Sequence, residues 1–289
     1  MRVQFAWHLL RIGAIVWLLT AAMVWPFLPG EYDALAPTLS TAAQLVGSVG
    51  MLLVPVGVLW LALDVRAEPN RARTGWRYGL ALAALGLSGV VVLAVVLAAV
   101  GQERLSFGLL TLALWLYALY RLVPAVRRLR QAPTCRFVAT PLYLIVIPPA
   151  LLILQLLLGP PLAELSRRRA MAAGAVLIQA IEAYRTAHGE YPATLVAVHK
   201  DYQPSVIGID RYHYSRRGET YNLSFEQPLF LLDDIGAREF VVYNPRDEHF
   251  ILSHASWHLV WTPDVAATRQ GWFAAFATAA PHWKVFRFD

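Results

Sequence analysis

His254 and His258 stand four residues apart, a spacing that puts both imidazoles on one face of a helix or of a strand and so suits a zinc or copper ion. Spacing identifies no third ligand, and Ala255 follows the first histidine where the helical zinc-protease pattern requires glutamate. His188, His199, His213, His249 and His282 are scattered through the same half of the chain. Asp233-Asp234 and Asp247-Glu248 are doublets of oxygen donors of the kind calcium takes, and equally of the kind that faces solvent in a loop. Cys135, the single cysteine, excludes an internal disulfide and a thiolate cluster. No nucleophile, base and orienting group form a catalytic pattern, and no cofactor is indicated. The reading is of a non-catalytic protein. The alternative is a metal-binding protein or enzyme built on His254, His258 and the loop carboxylates, Asp233 and Asp234 among them.

The chain that would position these groups divides sharply by composition. It has 289 residues, of which 57% are hydrophobic, with a net charge of +6. Residues 1–160 hold 12 Lys+Arg against 5 Asp+Glu, whereas 161–289 hold 13 against 14. The basic excess thus lies in the apolar half, where membrane topology accounts for it and a nucleic-acid partner does not. Apolar runs at about 12–28, 41–63, 78–100, 105–123 and 140–159 are each near the roughly 20 residues that cross a bilayer. The expected architecture is a membrane α-helical bundle of about five spans over 1–160, followed by an α+β domain over 161–289.

Charge in the loops sets the expected orientation. The 29–40 loop carries Glu31 and Asp33 without Lys or Arg. The next loop carries Arg66, Arg71, Arg73 and Arg77, and the segment near 121–136 carries Arg121, Arg127, Arg128, Arg130 and Arg136. The positive-inside rule then places the N-terminus in the cytoplasm and, after five spans, the C-terminal domain outside it. High Ala and Arg usage with little Lys points to a bacterial cytoplasmic membrane. Arg167, Arg168 and Arg169 lie just past the fifth span, on the outer side, where they are placed either on lipid phosphates or on a solvated turn of helix. The spans themselves carry no buried charge, which argues against a solute pathway. Gln155 is the main polar residue within them and is expected to bond another helix; Gly47, Gly50, Gly79, Gly86 and Gly89 allow close helix packing.

The soluble half opens on Gly174–Pro192, GAVLIQAIEAYRTAHGEYP. Met171, Gly174, Ile178, Ile181 and Tyr184, with Leu177 beside them, recur at helical spacing. Gly189 suits the left-handed residue that ends a helix, and Pro192 forces Tyr191 to be extended, so the helix is expected to end near 188. Pro148-Pro149 is expected to kink the fifth span and Pro160-Pro161 to separate it from this helix.

This text resembles the globular start of type IV pilin-like proteins, most closely the major pseudopilins of type II secretion. In that family a long helix ends in a Gly-x-Tyr-Pro turn, matched here by Gly189, Tyr191 and Pro192 behind Ala180-Ile181-Glu182-Ala183-Tyr184. Leu195 to Val198 and Tyr202-x-Pro204 are similar to the family's short second helix and its exit. The resemblance covers roughly 162–226. It implies a long N-terminal helix packed on an antiparallel sheet, and a partner in secretion or in the envelope. The family's processing signal is missing, because Cys135-Arg136-Phe137-Val138-Ala139-Thr140-Pro141 stands in its place. A tethered, non-polymerising copy is therefore expected.

Farther on, Tyr212–Ser215 and Tyr221–Phe225 alternate around Arg216-Arg217-Gly218-Glu219, a hairpin. Glu239–Tyr243 and His249–Ser253 flank Asn244-Pro245-Arg246-Asp247 and predict a second. Trp257–Trp261 reads as a strand. Thr262 and Pro263 then read as the cap and first residue of a helix with Val265, Trp272, Phe273 and Phe276 on its apolar face. Trp283–Phe288 reads as a closing strand. Tyr212, Tyr214, Tyr221, Trp257 and Trp261 offer either a contact face or a core.

Overall fold

In a computed structural model, which describes residues 2–65, 71–129, 139–198, 203–232, 238–249 and 273–288, the apolar runs form helices. They are α1 (Arg2–Val24), α2 (Leu35–Ser48), α3 (Val54–Val65), α4 (Arg71–Gly101), α5 (Leu105–Leu129) and α6 (Thr140–His188). Together α2, a 3-10 turn at Val49–Leu53 and α3 make one apolar passage, so among the described residues five helical stretches are long and apolar enough to cross a membrane. The chain separates into two units. One comprises Met1–Met23 and Thr38–Leu158, the other Val24–Pro37 and Gly159–Asp289.

In the first unit, glycine sets how closely helices approach. A Cβ added at Gly47 would stand 3.1 Å from Leu151, and one at Gly50 3.3 Å from Pro148, so α6 packs directly on the backbone of the α2 passage. Gly89 meets the Trp115 ring in the same way, while Gly79 and Gly86 face open space. Gln155 donates to Gln44 Oε1 (3.1 Å), Gln44 donates to Ser40 Oγ (3.0 Å), and Ser40 donates to the Met23 carbonyl (2.6 Å). This is the helix-to-helix bonding expected of Gln155, extended through α2 to the end of α1.

The second unit is built on the C-terminal part of α6 and a five-stranded antiparallel sheet, β1 (His213–Arg217), β2 (Thr220–Gln227), β3 (Arg238–Tyr243), β4 (Phe273–Ala277) and β5 (Trp283–Phe288). The strand order is β1-β2-β3-β5-β4. Ala170, Met171, Leu177 and Ile181 of α6 pack against Tyr212, Tyr221, Leu223, Phe225, Val241, Trp283 and Val285 in one continuous core. Tyr212 and Tyr221 are therefore core residues and not a contact face. The helix stops at His188, with Gly189 at φ 79° donating to the Arg185 carbonyl (2.7 Å), a left-handed end of the expected kind. A 3-10 turn follows at Leu195–Val198.

Three expectations differ from what is found. Pro160 and Pro161 do not separate the fifth span from the soluble helix, because α6 is helical throughout Thr140–His188. Contacts beyond them hold the helix together: Gly159 lies against the Phe230 ring, and Gln227 donates to the Ala163 carbonyl (2.6 Å). The neighbour expected for β3 from His249 onward is not the one found, because β2 and β5 take its two edges. Finally, Phe273 and Phe276 belong not to a helix but to β4, where Phe276 pairs with Val285 and Phe273 with Phe288. The Asn244 turn and the β1–β2 hairpin are as expected; in the hairpin Gly218 has φ 56° and Arg217 pairs with Thr220.

Candidate functional site

The sequence-predicted metal candidates His254, His258, Asp233 and Asp234 lie outside the described residues, as do Cys135, His199, Trp257 and Trp261. Among the described residues no three His, Cys, Asp or Glu side chains converge as a metal would require. Histidine and carboxylate come closest at the Asn244 turn. His282 Nδ1 lies 3.1 Å from Asp247 Oδ2. His249 has Nδ1 3.1 Å from the Asp247 carbonyl and Nε2 3.1 Å from the His282 carbonyl, so its ring faces main chain on both sides. Burial pushes its pKa down, with Lys284 adding in the same direction and the two carbonyls opposing. Asn244, fully buried, organises this turn: Oδ1 accepts from Thr220 and from the Arg246 and Glu248 amides, and Nδ2 donates to Asn222 and to the Glu248 carbonyl.

The arginine run has three distinct fates. Arg167 turns toward the sheet, where its guanidinium meets Glu239 (2.7 Å), Gln227 (3.0 Å) and Glu164 (2.9 Å). Arg287 holds the same buried Glu239 from the other side at 2.8 Å. Arg168 is exposed and pairs with Glu164 (2.6 Å). Arg169 is exposed and donates to the Ser205 carbonyl (3.2 Å). Helical geometry explains the split, because successive residues point about 100° apart and only one of the three can face the sheet.

A second, half-buried carboxylate lies near the end of α6. Glu182 Oε1 accepts from Tyr191 (3.3 Å) and Tyr221 (3.2 Å), while Arg185 donates to the Tyr191 hydroxyl (2.8 Å) and stacks over its ring. Burial raises the pKa of both tyrosines, and the Glu182 charge raises it further. These bonds fasten the Gly-Glu-Tyr-Pro turn onto β2.

The feature that sequence reasoning missed is the segment between α1 and α2. Val24–Pro37 is part of the second unit: after a 3-10 turn at Trp25–Phe27 the chain runs irregularly along residues 205–208, up to the start of α2. Ile207 donates to the Leu28 carbonyl (3.0 Å) and Gly208 to the Pro26 carbonyl (2.8 Å), while the Gly30 and Asp33 amides donate to Ser205 (3.2 Å) and Ile207 (3.0 Å). Pro29 and Val206 are bridge partners between these bonds. Phe27 stacks on Phe230 with centroids 4.4 Å apart and planes within 9°, and both rings are buried. Asp33 also starts α2, its side chain accepting from the Leu35 amide at 2.8 Å. The only local signal was two glycines, Gly30 and Gly208, at which an added Cβ would collide with the opposite segment at 2.8 and 2.6 Å.

Comparison with known protein families, with curated proteins and with solved structures returns no match for this chain. The function is therefore read from these contacts.

Proposed function

We propose that this chain is a non-catalytic integral membrane protein that presents a pilin-like α+β domain on the outer face of a bacterial cytoplasmic membrane, for binding or assembly with an envelope or secretion protein. The observation that carries the reading is the incorporation of Val24–Pro37 into the domain that follows α6. That loop leaves the first span and the domain leaves the fifth, so four crossings intervene and both emerge on one side. The first loop has no Lys or Arg, which marks that side as the outer one.

Binding is favoured over chemistry by how the domain's polar groups are used. Glu239, Glu182 and Asn244 each satisfy neighbouring side chains or main chain that hold the fold. The long helix ending at Gly189, the short turn at Leu195–Val198 and the antiparallel sheet support the pilin-like reading. Membrane lipids are the second partner in this reading, supported by the exposure of Arg168 and Arg169 after the fifth apolar run, whereas Arg167 is taken up by Glu239.

Topology tests this directly. Arg246→Cys in a Cys135→Ser background puts a thiol in the exposed turn after β3. Labelling of intact cells by a membrane-impermeant maleimide is expected. Labelling only after lysis would overturn both the orientation and the envelope partner.

A further inference from the structure

We propose that the C-terminal domain contains a binding site for a peptide segment held by main-chain bonds and by one aromatic anchor, and that residues 26–33 of the same chain are its resident ligand. The site is formed by the main chain of Ser205, Ile207 and Gly208 and by the Phe230 ring. The inference is independent of the function proposed above, because it holds on whichever side of the membrane the domain stands.

The bonding is that of strand addition, in which an extended segment is held by main-chain hydrogen bonds and selected by pockets for particular side chains. Four main-chain bonds of 2.8–3.2 Å alternate in direction between the two segments. One ring, Phe27, supplies the anchor: it lies flat on Phe230, whose other neighbour is Gly159 of α6. A Cβ at Gly159 would stand 3.4 Å from the Phe230 ring, so glycine there leaves the ring room to receive its partner. The receiving strip is shaped in advance by Ser205, which holds φ 55°, and by the Arg169 side chain, which donates to the same Ser205 carbonyl that accepts from Gly30.

The ligand class follows from these contacts. An aromatic residue must be followed by an extended, proline-containing stretch and then by a residue without a side chain, since Gly30 passes within 2.8 Å of Ile207 where its Cβ would lie. Proline fixes φ at 26 and 29 before binding, which lowers the ordering cost of such a segment. The carbonyl and amide groups contributed by Pro26, Leu28, Gly30 and Asp33 are all main chain, so these bonds do not depend on side-chain identity.

The test uses the full chain in detergent micelles. Residues 26–32 are replaced by a Gly/Ser run of equal length, and amide exchange is followed at Ile207 and Gly208. The expected result is exchange at least about tenfold faster at those two amides, as for a locally opened segment, with protection at Phe225 and Val241 unchanged. A synthetic peptide spanning residues 24–33, added at millimolar concentration, should restore the slow rate. Unchanged exchange at Ile207 and Gly208 would overturn the proposal, and so would an increase that the peptide fails to reverse. If the replacement strips protection from β2 and β3 as well, Phe27→Ala decides. It should speed exchange at Ile207 and Gly208 alone, reversibly by the peptide, and any other result overturns the proposal.

Discussion

Glu239 and Arg167 meet at 2.7 Å across 72 residues of sequence, with the carboxylate side chain only 1% exposed. A carboxylate taken that far out of water is tolerable only when cations face it, and Arg167 and Arg287 do so from opposite sides. The pair ties the start of the domain's helix to the centre of its sheet, since β3 lies between β2 and β5.

Arg167→Ala should therefore destabilise the domain by about 3 kcal/mol, the lower end of the range for breaking a buried pair, because Arg287 still faces the charge. Replacing both partners with apolar residues, Arg167→Met with Glu239→Leu, should recover most of that loss. Amide exchange in β3, measured by mass spectrometry on the full chain, separates this domain's stability from that of the helical unit. Arg168→Ala, which removes only a surface i,i+4 pair with Glu164, should change it by less than about 0.5 kcal/mol.

Gln155 makes the opposite case. Its Nε2 donates to Gln44, but its Oε1 is buried with no hydrogen-bond partner among the described residues. Removing the side chain loses one bond and also removes one unsatisfied acceptor, so the effects oppose each other. Gln155→Leu should shift the stability of the helical unit by under about 1 kcal/mol, with a Gln155–Gln44 coupling in a double-mutant cycle near 0.6 kcal/mol. The measurement is unfolding of the micelle-embedded chain by graded denaturing detergent. A coupling above about 2 kcal/mol would show that the Gln155–Gln44–Ser40 chain carries far more than a typical membrane hydrogen bond.

The helical spans and the end of α6 could be read from sequence because their causes are local: continuous apolar runs, and a glycine followed by a proline. The same holds for β5, where Trp283, Val285, Phe286 and Phe288 are strand formers. For β4 the local evidence misled. Phe-Ala-Ala-Phe-Ala has two phenylalanines three apart, a helical spacing, and alanine is a poor strand former. Pairing with β5 along its whole length overrides that preference. The partner of β3 was misread for a related reason, since a nearby turn signal says nothing about a strand that returns from residue 283 onward. In the arginine run the charges were visible but not their direction, because Glu239 and Ser205 are 72 and 36 residues away. The strip at 24–37 left the least trace: an irregular segment bound to another irregular segment has neither the period of a strand nor that of a helix.

His249 makes the domain's stability sensitive to acid. A neutral imidazole has one N–H, so only one of the two carbonyls 3.1 Å from its nitrogens receives a hydrogen bond, while burial holds the pKa below the ordinary value near 6.5. The unfolded chain then binds a proton at a higher pH than the folded one does. Stability from this residue is complete above about pH 6.5 and is lost as pH falls from there through the folded-state pKa. Exchange of β5 amides, Val285 and Phe286 in particular, should accelerate between pH 6.5 and 5 after correction for the intrinsic rate. His249→Gln keeps a donor for one carbonyl and has no proton to take up, so its corrected exchange should be flat over the same range. An equal acid response in that variant would assign the effect to groups other than His249.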